Sequence, residues 1–63
     1  MDIQSRLVEY INARGIKQSA ICGATGIDPT AFSKSMNLDR KLTIDEFGKV
    51  CKFLDVSMDS FAE

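Results

Sequence analysis

Residues 26–29 read Gly-Ile-Asp-Pro, and no other stretch constrains the chain as tightly. Gly26 takes a positive φ without steric cost, the Asp28 side chain suits an N-cap, and Pro29, the only proline, suits a first helical position. The four residues therefore spell a helix end, a tight turn and a helix start. Ile27, between them, is expected to point back into a core. A chain of 63 residues builds one small core and no second, so the segments flanking this turn must pack on each other.

Helical periodicity runs on both sides of the turn. Ile3, Leu7, Val8 and Ile11 recur at helical spacing behind a candidate N-cap, Asp2, and the pattern closes at Gly15, a residue suited to the left-handed position beyond a helix end. A second helix uses Ala20, Ile21, Cys22 and Ala24 and stops at Thr25 and Gly26. The third is expected from Pro29 to about Met36. Its apolar residues are Ala31, Phe32 and Met36, of which Phe32 and Met36 share a core-facing side, while Thr30, Ser33, Lys34 and Asn37 lie elsewhere on the wheel.

After the loop "NLDRKL", Thr43 and Glu46 have the spacing of a capping box. Ile44, Phe47, Val50, Cys51 and Leu54 form the apolar stripe of a fourth helix, and Phe53 falls outside it. Ser57 caps a last short helix from which Phe61 returns to the core. No segment alternates as a strand does. The expectation is an all-α, compact five-helix fold, a single domain over residues 1–63.

The composition, 44% hydrophobic and 27% charged, is that of ordinary globular material. No apolar run approaches the ~20 residues of a membrane span, and the N-terminus has no basic segment followed by an apolar stretch, so the expected location is cytoplasmic. Cys22 and Cys51 have the option of pairing, but one thiol pair without a signal peptide more often means two small buried apolar groups. With no histidine and no CxxC spacing, no metal is expected; catalysis, a cofactor and a small-molecule ligand are not expected either.

Charge is unevenly distributed within a net of −1. From Arg14 to Lys41 the cations are Arg14, Lys17, Lys34, Arg40 and Lys41, against Asp28 and Asp39. The remainder sets Arg6, Lys49 and Lys52 against Asp2, Glu9, Asp45, Glu46, Asp55, Asp59 and Glu63. A basic middle segment inside an acidic molecule is the distribution expected where one face meets phosphate.

Two short helices joined through a glycine turn in a small helical domain suggest a helix-turn-helix. At these residues the chain resembles the lambda-repressor-like, Cro/XRE-type helix-turn-helix DNA-binding domains. "GIKQSAICGATGIDPTAFSK" is similar to the family's unit: Gln18 begins the second helix, Cys22 is the small residue where the helices pack, Gly26 is the turn glycine, Ile27 the aliphatic after it, and Phe32 the apolar residue inside the recognition helix. "KLTIDEFGKVCKFLDVSMDSF" is similar to the family's tail, closing on Leu54, Val56, Ser57, Asp59 and Phe61.

The resemblance implies a sequence-specific double-stranded DNA-binding transcriptional regulator, a repressor or Cro-like switch of phage or bacterial type, reading the major groove with the helix from about Pro29 to Met36. Base-reading positions are then Pro29, Thr30, Ser33 and Lys34, with Lys34 able to reach guanine O6 and N7. Phosphate-binding positions are Lys17, Gln18, Asn37, Arg40 and Lys41. Two copies would dock on a roughly palindromic operator, forming a homodimer there, with Phe53 as a candidate dimer contact. The chain departs from the family's pattern at Lys17, where a threonine N-cap is usual, at Ser35, where an apolar residue is usual, and at Leu38, which replaces a common glycine. Asn37 is expected to supply the left-handed residue in that glycine's stead. The rival expectation is a protein-interaction module of the same fold, an antirepressor or assembly component that does not bind DNA; net charge and the short side chains of the third helix favour it.

Overall fold

A computed structural model describes residues 2–62. It has four α-helices, α1 (Ile3–Arg14), α2 (Gln18–Thr25), α3 (Pro29–Met36) and α4 (Ile44–Leu54), followed by a 3-10 helix, Met58–Phe61. The described residues contain no strand. The all-helical expectation holds; the fifth helix is a single 3-10 turn rather than an α-helix.

Local chemistry accounts for most helix boundaries. The Asp2 Oδ1 accepts from the Ser5 N–H at 2.8 Å and starts α1. Gly15, at φ 65°, ends it, with the Gly15 and Ile16 N–H groups closing onto the carbonyls of Asn12 and Ile11. α4 opens on the expected capping box: Thr43 Oγ1 accepts from the Glu46 N–H at 3.1 Å, and Glu46 Oε1 accepts from the Thr43 N–H at 3.0 Å. Only α2 starts without a side-chain cap, because Lys17 has no acceptor to offer its first amides. Its stability must come from packing.

That packing is central. α2 lies against both α3 and α4, while α1 and α4 meet the 3-10 helix. Ile21, Phe32 and Val50, one from each of α2, α3 and α4, are wholly buried, and Leu7 and Ile11 close the core from α1. Phe61 returns to this core as its position implied, edge-on to Tyr10 at 5.5 Å and to Phe47 at 6.2 Å between ring centroids. Arg14 caps the cluster, its guanidinium 4.6 Å above the Tyr10 ring.

The expectations for Ile44, Ala20 and Ala24 are corrected, whereas that of two buried, unpaired thiols holds. Ile44, placed in the apolar stripe of the fourth helix, is 83% exposed, because as the first residue of α4 it precedes the turn that contacts the core. Ala20 and Ala24 of α2 are exposed, which leaves Ile21 and Cys22 as the helix's buried residues. Cys22 and Cys51 are both buried and free; burial pushes both thiols above their ordinary value, with Asp28 adding to the effect at Cys22.

Candidate nucleic-acid interface

The α2–α3 junction is assembled from interactions within a few residues of one another. Gly26 sits at φ 78° and donates its N–H to the Cys22 carbonyl at 2.9 Å. Thr25 Oγ1 donates to the Ile21 carbonyl at 2.8 Å and accepts from the Ile27 N–H at 3.4 Å, so the last turn of α2 is closed by its own side chain. Ile27 is buried, as expected. Asp28 Oδ2 then accepts from the Ala31 N–H at 3.1 Å, and Pro29 begins α3.

The result brings the start of α2 to the start of α3. Gln18 and Ser19 line one open cleft together with Cys22, Gly23, Gly26, Ile27, Asp28 and Pro29. Gln18 and Pro29, assigned from the sequence to phosphate and base contact, therefore share one surface. Lys17, Thr30, Ser33 and Lys34 are exposed as well. Neither Lys17 nor Lys34 has an ion-pair partner among the described residues. Asp28 borders the cleft as well, and its Oδ2 is engaged as the cap of α3.

The far end of α3 is built differently. Asn37, expected in the left-handed region, lies at φ −85°; Leu38 takes that conformation instead, at φ 64°. The Leu38 N–H reaches the Ser35 carbonyl at 3.0 Å and the Asp39 N–H reaches the Lys34 carbonyl at 2.9 Å, the paired closure of a Schellman motif one residue beyond Asn37. Asn37 and Lys41 are exposed.

Arg40, assigned to phosphate, also has partners within the fold. Its Nη1 donates to Ser35 Oγ and its Nη2 to Glu46 Oε2, each at 3.0 Å, which ties the loop to α3 on one side and α4 on the other. Ser35 explains its own departure from an apolar residue: it is buried, donates to the Ala31 carbonyl at 3.2 Å and accepts from Arg40. The Arg40 hydrogen bond, with that of the Thr43 amide, holds the Glu46 carboxyl below the usual carboxylate range.

Gln4 is the residue that sequence reasoning missed. Its Nε2 donates to the carbonyls of Ser35 at 2.9 Å and Arg40 at 2.8 Å, and its Oε1 accepts from the Leu42 N–H at 2.9 Å. One amide thus clamps both ends of the loop onto α1. A signal was present: Gln4 falls in the stripe of Leu7, Val8 and Ile11, a polar residue on a core-facing side.

Among the described residues there is no cluster of His, Cys, Asp or Glu able to hold a metal, and no helix long and apolar enough to cross a membrane. Phe53 is 41% exposed, bordering a shallow hollow with Ala24, Thr25, Lys49 and Lys52. Comparison of the chain with protein-family models, with curated proteins and with solved structures gives no match.

Proposed function

We infer that the chain is a lambda-repressor-like helix-turn-helix domain that binds double-stranded DNA sequence-specifically and acts as a transcriptional regulator, a repressor or Cro-like switch. The observation carrying this reading is the shared cleft that sets Gln18, at the start of α2, beside Pro29, at the start of α3, with Thr30, Ser33 and Lys34 exposed beyond it. In this arrangement α3 enters the major groove. The Gln18 amide and the N-terminus of α2 meet a phosphate, and Lys34 reads a guanine edge while Thr30 offers a hydroxyl and a methyl.

The phosphate path continues through Lys17, Asn37 and Lys41. Arg40 stays in that group through its remaining N–H donors, while Nη1 and Nη2 each give one hydrogen bond, to Ser35 and Glu46, that holds the loop. Two copies dock on successive major grooves, ~34 Å apart, with Phe53 as the contact between them. Lys52 and Lys49, the latter paired with Asp45 at 3.2 Å, flank that contact, and one half-exposed aromatic offers little area, so the dimer forms on DNA.

A second reading, a protein-interaction module, draws on a specific feature. Ile44, 83% exposed, stands with Ile3 beside a groove that Leu42, Phe47 and Met58 line. Salt separates the two readings. Binding to mixed-sequence duplex DNA should weaken steeply as salt rises, with a slope near the number of phosphates neutralised; no affinity for duplex even at low salt rejects the DNA reading. On a selected site, Lys34→Ala should cost ~1–3 kcal/mol at one base pair. Equal losses on every sequence would remove Lys34 from the base-reading set.

A further inference from the structure

Among the described residues four take the left-handed conformation: Gly15, Gly26, Leu38 and Asp55. Glycine takes this conformation freely and aspartate tolerates it, whereas leucine does so against its own stereochemistry. The ends of α1 and α4 also place an apolar residue directly after the left-handed one, Ile16 and Val56, and each packs against the core. At the end of α3 that order is inverted. The following residue is the exposed Asp39, and the apolar side chain occupies the strained position itself, 52% exposed.

Leu38 therefore serves neither the turn, which glycine would make more readily, nor the core. It is also held firmly. Its backbone is bracketed by the closure onto Ser35 and Lys34, and Gln4 clamps the Ser35 and Arg40 carbonyls on either side of it. An apolar side chain is thus carried on a fixed stretch of backbone between Asn37 and Lys41, at the end of a helix whose exposed side chains are polar.

We propose that Leu38 is a DNA-contacting residue that packs against the apolar part of the groove wall, deoxyribose carbons or a thymine C5-methyl. This rests on the DNA-binding reading above. Leu38 follows α3 within two residues of its last turn and lies in the chain between Asn37 and Lys41, the positions assigned to phosphate, so with α3 in the groove the sugar–phosphate wall is the DNA surface next to it. There the sugar edges and thymine methyls supply apolar surface that the polar side chains of α3 do not use. An apolar contact releases no counterions, which gives it a signature distinct from that of Lys41.

The test compares the full chain with Leu38→Gly and Leu38→Asn, both compatible with the left-handed backbone. Binding is measured across a salt series on the best duplex from a random-sequence selection, and on the same duplex with each thymine replaced by deoxyuridine. Both variants should melt no lower than the parent and bind about four- to twelve-fold more weakly, as expected for losing about half the burial of a leucine side chain. Their salt slopes should match the parent's. A loss that vanishes on one deoxyuridine duplex identifies a thymine methyl as the contact; a loss that persists on all of them identifies deoxyribose. Parent-level affinity in both variants overturns the proposal, as does an altered salt slope or a fall in melting temperature. If the parent itself binds no duplex at low salt, the DNA reading falls and this proposal with it; a parent that binds alongside unaffected variants removes Leu38 alone.

Discussion

The two junctions that flank α3 reach the same end by opposite means. The α2–α3 turn is short and self-contained: every side-chain hydrogen bond that shapes it, from Thr25 to Ile21 and Ile27 and from Asp28 to Ala31, spans four residues or fewer. The α3–α4 loop is longer and held from outside, by Gln4 across 31 to 38 residues and by Arg40 reaching Ser35 and Glu46. A turn encoded locally tolerates loss of distant contacts but not of its own residues. A loop held from afar has the reverse vulnerability.

The largest effect that would break this contrast lies at Gln4. Gln4→Leu removes three hydrogen bonds and leaves the Leu42 N–H and the Ser35 and Arg40 carbonyls without that partner. A loss of ~2–4 kcal/mol is expected, since each stranded, partly buried polar group costs about 1–3 kcal/mol and water recovers some of it. Amide exchange should accelerate at Leu42 while the Gly26 and Ala31 amides keep their protection. Faster exchange at both junctions would mean that the α2–α3 turn also depends on the clamp.

Gly26→Ala comes next and should reverse that pattern. No atom lies within 4 Å of an added Cβ, so the penalty is purely conformational at φ 78° and should be ~1–2 kcal/mol. Chemical denaturation supplies the number. A neutral result would show that the junction does not require its left-handed residue. Asp28→Ala removes the cap of α3 and should cost ~1 kcal/mol, with exchange at the Ala31 amide rising while Leu42 is unaffected.

The smallest expected effect is a dependence on pH confined to the loop. The Glu46 carboxyl is held below its ordinary value of about 4.3 by Arg40 first and the Thr43 amide second. A carboxyl depressed in the fold stabilises it above the unfolded value, and that contribution is lost as pH falls through the folded value. Asp2 is shifted the same way by its bonds to Ser5, so the parent's acid sensitivity has more than one source. Glu46→Gln isolates the loop's share: melting temperature should fall less steeply below pH 4.3 in this variant than in the parent. Parallel curves would detach Glu46 from the acid response.

How legible each region was follows from the same contrast. Asp2, Gly15, Gly26, Asp28, Pro29, Thr43 and Ser57 act on neighbours within a few residues, and their identities marked the starts of α1, α3, α4 and the 3-10 turn and the ends of α1 and α2. The candidate interface was legible in part. Thr30, Ser33 and Lys34 were read as exposed from the wheel alone, whereas Arg40 looked like any other loop cation until Ser35 and Glu46 were seen on either side of it.

Asn37 and Leu38 show where residue preference misleads. Asparagine accepts the left-handed region more readily than leucine, yet α3 closes one residue later, because its last carbonyls are taken by the amides of Leu38 and Asp39. Ile44 errs the same way, apolar and in helical phase but one turn too early to reach the core.

By itself, then, the sequence determined the helices, their caps, the tight α2–α3 turn and the side of α3 that faces the core, since each depends on steric and hydrogen-bonding preferences acting over one helical turn. The tertiary structure decided the course of residues 37–43, the duty of Arg40, the clamp at Gln4 and the exposure of Leu38. The Gln4 clamp joins groups 31 to 38 residues apart and Arg40 joins two different helices, pairings that no preference within a single turn encodes. These groups meet only after the core around Ile21, Phe32 and Val50 has brought α1, α3 and α4 together.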